Sequence, residues 1–358
     1  MNNNKIHDEF SKPLLLWFDI HGRKDLPWQL PRAPYRVWVS EIMLQQTQVQ
    51  TVIPYFNRFM NQLPTLNNLA QAGEDEVLSL WSGLGYYSRA RNLHRTAKTI
   101  IEEHQGLFPT DLETLIDLPG IGPSTAAAIL SQAFNQPTAI LDANVKRVLS
   151  RFFLIKGWPE QAQVKKTLWD LAHSCMPQER CADYTQAIMD LGATCCTAKN
   201  PDCFRCPLHN NCLAFKYKEQ HLYPTKKIKK PVPTQYQQLL VLCNDKGLVY
   251  LEKRPPTGLW GGLWCLPSLE IDDCPLSYIQ VQYALKGESP KQLITFKHRF
   301  SHFHLEINAL SIKTKAMDNQ ISESTGQWFA KDSLSSLGLA KPTSLILNQL
   351  YAKQSSLF

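Results

Sequence analysis

Leu118-Pro119-Gly120-Ile121-Gly122-Pro123-Ser124-Thr125-Ala126 separates two helical patterns, 111–117 and 124–134. Its reading decides the fold of the first half of the chain. Gly120 and Gly122 permit positive φ and close backbone approach. Pro123 suits the first turn of the second helix, where an N–H has no intrahelical partner in any case. The segment predicts a tight hairpin of helices whose turn offers free N–H groups at a positive dipole end. Such a turn can hold one DNA phosphate oxygen. A plain helix–helix turn with a glycine stop uses the same residues.

Working outward, Ala139-Ile140-Leu141-Asp142-Ala143-Asn144-Val145 places an acid between an apolar run and the helical pattern 145–153. Asp142 is positioned to cap that helix. On the other side, residues 35–60 read as one long helix or a pair broken near Pro54. Glu41 lies there among apolar neighbours, followed closely by Gln45, Gln46 and Gln48. A carboxyl in such a setting has its pKa raised and can donate a proton; a solvated helical Glu is the plain alternative. Gly83-Leu84-Gly85-Tyr86-Tyr87-Ser88-Arg89-Ala90-Arg91 forms a turn into the next helix. Its aromatics beside cations suit contact with an opened duplex, and Tyr86 and Tyr87 as ordinary core and surface residues fit the same pattern. Further helices are expected at 9–20, 66–72, 74–80, 160–176 and 180–192, so residues 1–192 read as all-helical.

The chain has 358 residues, a length for two or three domains, and its 44% hydrophobic content and nine Trp are ample for their cores. A net charge of +7 is compatible with a polyanionic partner. No apolar run approaches ~18 residues, so no membrane span is expected. The start of the chain has no apolar signal core, so a cytoplasmic protein is expected, with its ten Cys reduced unless they bind metal. Four of the ten Cys fall in one short loop as Cys196-x6-Cys203-x2-Cys206-x5-Cys212. That clustering indicates a metal site, and spacing alone allows either a zinc site or an iron–sulfur cluster. Residues 223–233, with their Pro and Lys, read as an extended linker. Beyond them the pattern turns to strands at 236–242, 248–254, 292–300 and 303–311, with helices near 331–337 and 342–351.

The hairpin followed by Asp142 resembles the helix-hairpin-helix DNA glycosylases, the superfamily that includes endonuclease III. Relatives of endonuclease III carry the same Cys spacing directly after the helical domain, where it holds a 4Fe–4S cluster. The resemblance implies such a cluster on Cys196, Cys203, Cys206 and Cys212. The α+β segment with Arg254-Pro255-Pro256-Thr257-Gly258-Leu259-Trp260-Gly261-Gly262-Leu263-Trp264 resembles the Nudix-like C-terminal domain of adenine DNA glycosylases, without the Glu-rich Nudix box. That domain should therefore recognise rather than hydrolyse.

Together these segments resemble the MutY-type adenine DNA glycosylases over nearly the whole chain. The resemblance implies an all-α glycosylase domain at 1–222 including the cluster loop 196–212, the linker 223–233, and an 8-oxoguanine recognition domain at 234–358. It implies a monomeric enzyme that binds duplex DNA, with no membrane partner, and removes adenine opposite 8-oxoguanine or guanine. Glu41 would protonate the base. Asp142 would stay ionised and stabilise the sugar cation, directly or through a transient adduct, and Asn144 would help position the site. Leu44, Gln46 and Tyr86 would fill or wedge the base stack, while Gly120, Gly122 and Ser124 meet the backbone. Phe300-Ser301-His302 would read the lesion. Bifunctional relatives have Lys at position 124; Ser124 cannot form an imine, so lyase activity should be weak or absent.

Overall fold

The computed structural model describes residues 6–227, 231–316 and 326–355. Lys229 and Lys230 of the expected Lys-rich linker lie outside the described residues. Backbone contacts divide the chain into two units, 6–71 with 92–227 and 72–91 with 231–355. Residues 72–91, which read from sequence as part of the helical half, thus pack with the C-terminal half.

The first unit is helical, and the helix Pro123–Phe134 is its axis. The small residues Ala126, Ala127 and Ala128 are buried and let the helices Pro34–Leu44 and Cys181–Asp190 pack closely against it. Asn135, in the left-handed region at φ +52, ends the helix. Asp142 caps Ala143–Phe152 as expected, its carboxylate accepting the Val145 N–H at 2.8 Å. Phe10, Leu14 and Phe18 near the N-terminus complete the core against Val148, Leu149 and Phe152.

Two details differ from expectation. The break in 35–60 lies between Pro34–Leu44 and Val49–Gln62, where Gln46 takes φ +56. Pro54 falls inside the second helix. It is close enough to the N-terminal end to remove one backbone bond without stopping the helix. In the hairpin, Gly120 has φ +81, and an added Cβ would lie 2.7 Å from Asn92 Cβ, so both strain and space demand glycine. Gly122, in contrast, is extended at φ −93 with open space around it. Its role is to cap Pro123–Phe134 without a side chain over the exposed N–H groups.

The second unit is built on a sheet. Strand β1 (Thr234–Cys243) pairs parallel with β7 (His304–Ala316), and β7 forms an antiparallel hairpin with β6 (Lys291–Arg299). Strand β2 (Val249–Lys253) pairs with β8 (Gly326–Phe329) and with the short β3 (Trp264–Cys265). Strand β4 (Ser268–Glu270) pairs with β1, and β5 (Leu285–Gly287) with β7. One face buries Leu239, Val241 and Ile307 beneath Ile346 and Leu347 of the helix Lys341–Ser355. The other buries Leu240, Leu242 and Ile312 beneath Ile279 and Tyr283 of the helix Pro275–Tyr283. With both faces covered, β1 reads as a continuous apolar run. The helix Pro275–Tyr283, unforeseen from sequence, carries no carboxylate. It therefore cannot supply the metal-binding acids of a Nudix box.

Candidate active site

Four helical elements of the first unit converge on a cleft of about 640 Å³. Glu41 enters from the last turn of Pro34–Leu44, and Asp142 from the cap of Ala143–Phe152. Ser124 and Thr125 enter from the first turn of Pro123–Phe134, and Gln186 from Cys181–Asp190. Leu44, Gln46 and Asn144 also line the cleft.

The two carboxyl groups have different surroundings. Glu41 accepts one hydrogen bond, from Gln132 Nε2 at 3.0 Å. Burial pushes its pKa up to about 7; the Gln132 amide opposes that rise and the nearby Asp142 charge adds to it. Burial also raises Asp142, but more groups oppose it. The Val145 N–H, the Asn144 amide at 3.1 Å, the Asn144 N–H and the Arg147 charge all favour its ionised form. The cap position adds the positive end of a helix. Both carboxyls are thus raised by burial, and Asp142 has more groups favouring its ionised form than Glu41 has.

Asn144 is itself fixed. Its Oδ1 accepts from Arg147 Nη2 at 2.8 Å, and Arg147 also donates to the carbonyls of Gly192 at 2.6 Å and Cys196 at 2.7 Å. A Cβ on Gly192 would lie 2.6 Å from Asn144 Cβ, so only glycine leaves room. The hydroxyl of Ser124 accepts the Leu141 N–H at 3.1 Å, joining the hairpin helix to the strand-like approach to Asp142.

Gln132 and Gln186 were not singled out from the sequence. Both are buried, at 4% and 3% exposure. Their signal is a Gln inside an otherwise apolar helical face. Gln186 Nε2 donates to Asp190 Oδ1 at 2.7 Å, and Asp190 is clamped by Arg23 through Nε at 2.9 Å and Nη2 at 2.6 Å. That leaves Gln186 Oε1 buried without a protein partner at a position lining the cleft.

Cys196, Cys203, Cys206 and Cys212 line one cavity together with Cys195 and Arg151. Arg151 is almost fully buried, and its Nη1 lies 3.3 Å from Cys196 Sγ. Burial, reinforced by the neighbouring thiols, pushes Cys203 and Cys212 up to about 11. Among the described residues no three metal-binding side chains are gathered tightly enough to form a metal site. Four thiols facing one cavity beside a compensating cation nevertheless suit a group that binds thiolates.

The remaining expected residues belong to the second unit. Tyr86 is exposed at φ +49. Phe300, Ser301 and His302 form the turn between β6 and β7, closed by the Phe300 N–H on the Phe303 carbonyl at 2.9 Å. Ser301 and His302 are exposed, with Oγ 3.4 Å from Nδ1.

A family model described as HhH-GPD superfamily base excision DNA repair protein matches residues 39–174, and one described as NUDIX domain matches residues 238–349. The chain is 40% identical over 339 residues to an adenine DNA glycosylase of Buchnera aphidicola subsp. Schizaphis graminum, covering 94% of this chain and 97% of that protein. The chain belongs to the adenine DNA glycosylase family. The rat adenine DNA glycosylase is 36% identical, over 88% of this chain and 72% of its own. A thermostable thymine-DNA glycosylase aligns in structure at 27% identity and TM-score 0.54, covering 61% of this chain and 100% of that one. An endonuclease III–DNA complex, at 22% identity and TM-score 0.51 over 61% of this chain and 98% of that one, shares the fold. The expected pairing of an endonuclease III-like helical domain with a Nudix-like one is therefore met. No helix among the described residues is long and apolar enough to cross a membrane.

Proposed function

We propose that this chain excises adenine mispaired with 8-oxoguanine or guanine in duplex DNA, by base flipping and acid-assisted hydrolysis of the N-glycosidic bond. The observation that carries this reading is the pair of unlike carboxyls, Glu41 and Asp142, in one cleft. A base within a duplex must leave the stack to reach such a cleft. Leu26 and Trp28 give the cleft apolar walls, and Gln186 lines the same cleft. Leu44 and Gln46 stand at the cleft, and Tyr86 projects from its turn, as groups to fill the space the base leaves.

In this mechanism Glu41 donates its proton to adenine N7. The C1′–N9 bond then breaks, with its electron pair going to the purine. The deoxyribose becomes an oxocarbenium-like cation, which ionised Asp142 stabilises at close range. Water adds to C1′, and its proton returns to the Glu41 carboxylate. Asn144, held by Arg147, keeps the Asp142 carboxylate oriented. The Ser124 hydroxyl cannot form an imine with the product sugar, so the strand stays intact.

The same reading assigns a 4Fe–4S cluster to Cys196, Cys203, Cys206 and Cys212. When bound, it would hold these groups as thiolates and cross-link the 196–212 loop, with Arg151 balancing their charge. Iron and sulfide analysis tests that assignment; stoichiometric zinc in anaerobically purified protein, with no iron, would reject it. The function is tested with A:8-oxoguanine, A:G and A:T duplexes, each developed with and without alkali. Breaks at adenine that appear only after alkali, on the first two duplexes, are expected. Breaks without alkali, or excision of pyrimidines instead, would overturn the reading.

A further inference from the structure

The turn that carries Tyr86 is fastened within the second unit by several independent contacts. Lys253 Nζ lies 2.9 and 3.0 Å from the two Asp75 carboxylate oxygens. Ser79 Oγ donates to the Ser335 carbonyl at 3.2 Å. Leu78 is fully buried beside Gly338, where an added Cβ would come within 2.7 Å of Leu78 Cβ. Arg91 donates from Nη2 to the Pro256 carbonyl at 2.9 Å and from Nη1 to the Gly261 carbonyl. Gly262 has φ +75, and a Cβ there would lie 3.3 Å from Arg91 Cδ and 3.4 Å from Glu74 Oε1. The loop 255–262 is thus shaped around the Arg91 side chain.

Both ends of this contact reach residues assigned to recognition. On one side, Trp260 immediately precedes Gly261, and its ring centroid is 5.8 Å from Phe300 and 6.3 Å from His298. Phe300 leads directly into Ser301. On the other side, the Arg91 N–H bonds the Tyr87 carbonyl at 3.1 Å. Two residues earlier, the Arg89 guanidinium lies 5.5 Å from the ring centres of both Trp81 and Tyr86 and donates to the Gly85 carbonyl at 3.2 Å. Tyr86 is thereby held in its uncommon left-handed conformation with its ring outward.

We propose that Arg91 is a positioning residue that ties the Tyr86 turn to the 255–262 loop, so that seating of the 300–302 turn on the lesion and insertion of Tyr86 are coupled. The coupling half of this proposal rests on the lesion-reading role given above to Ser301 and His302. Chemically it answers a selectivity problem. Adenine is a normal base, so the signal to commit the wedge must come from the opposite strand. Guanidinium–carbonyl bonds are charge-assisted and directional. The tilted ring contacts of Trp260 with Phe300 and His298 connect the lesion turn to the loop that Arg91 grips.

Two measurements decide it. In DNA-free protein, Arg91→Ala and Trp260→Ala should raise amide hydrogen exchange at 83–91 by roughly tenfold, with the exchange of 123–134 unchanged. In single-turnover assays, Arg91→Ala should lower the A:8-oxoguanine to A:G rate ratio by roughly three- to tenfold, and Ser301→Ala should add little in that background. Arg91→Lys, which can keep one carbonyl contact, should recover part of the ratio. Asp75→Asn, at a half-exposed pair that the fold can lose, should shift exchange and ratio in the same direction but less. Unchanged exchange at 83–91 in Arg91→Ala, or fully additive losses with Ser301→Ala, would overturn the proposal. If the wild type shows no preference for 8-oxoguanine, the lesion-reading role fails instead, and the exchange result alone judges the fastening.

Discussion

Replacing Glu41 with Gln should stabilise the helical unit while abolishing excision. Folding raises the Glu41 pKa from 4.5 to about 7, chiefly through burial and then through the Asp142 charge, against a single amide donor. Between those values the unfolded chain has lost the proton that the folded chain keeps. The carboxyl therefore lowers stability progressively as pH rises from 4.5 to about 7, and the cost is constant above that. The rise corresponds to about 3 kcal/mol at full development. Gln has the same shape, keeps the Gln132 contact and does not titrate. It should recover ~1–3 kcal/mol at pH 8 and under ~1 kcal/mol at pH 5, the lower bound allowing for water in the cleft. Urea unfolding at both pH values measures this, following a probe in the first unit because two units need not unfold together. A Gln variant less stable than wild type at pH 8, or a gap equal at pH 5 and pH 8, would refute the reasoning.

Asp142→Asn should keep duplex binding and lose excision by ~10²–10⁴-fold, because the sugar cation loses its counter-charge; a near wild-type single-turnover rate would remove Asp142 from that role. Ser124→Lys places an amine at the cleft, and borohydride should then trap more protein–DNA adduct than with wild type. No gain in trapping, with excision intact, would mean that position 124 does not face the sugar. Ser301→Ala with His302→Ala should reduce the preference for A:8-oxoguanine over A:G by about 1–3 kcal/mol, the usual scale of a good base contact, and leave the chemistry in place. An unchanged ratio would move discrimination elsewhere.

Much of this was legible in the sequence where local chemistry and pattern agree. The Gly120 hairpin, the Asp142 cap, the β1 and β7 strands and the clustering of cysteines each have a short-range signature. Bonds that depend on tertiary approach were not legible. Gln132 meets Glu41 across 91 positions, and Arg23 meets Asp190 across 167, so neither pair has a spacing to read. The break at 45–48 was misplaced because Pro54 is the conspicuous breaker, whereas the actual turn uses Gln46 in a left-handed conformation with no glycine to mark it. The short strands β3, β4, β5 and β8 escaped because two to four residues are too few to show alternation. The association of 72–91 with the C-terminal half depends on glycines at 261, 262 and 338, whose purpose appears only once the neighbours are in place.

The central claim is that Glu41 delivers a proton to the departing adenine. The most direct measurement is the single-turnover rate of adenine release from an A:8-oxoguanine duplex across pH 5–9. With the Glu41 pKa at about 7, the rate should be level at low pH and fall about tenfold per pH unit above that value. A rate that is flat through pH 9, or that rises as Glu41 loses its proton, would contradict the account.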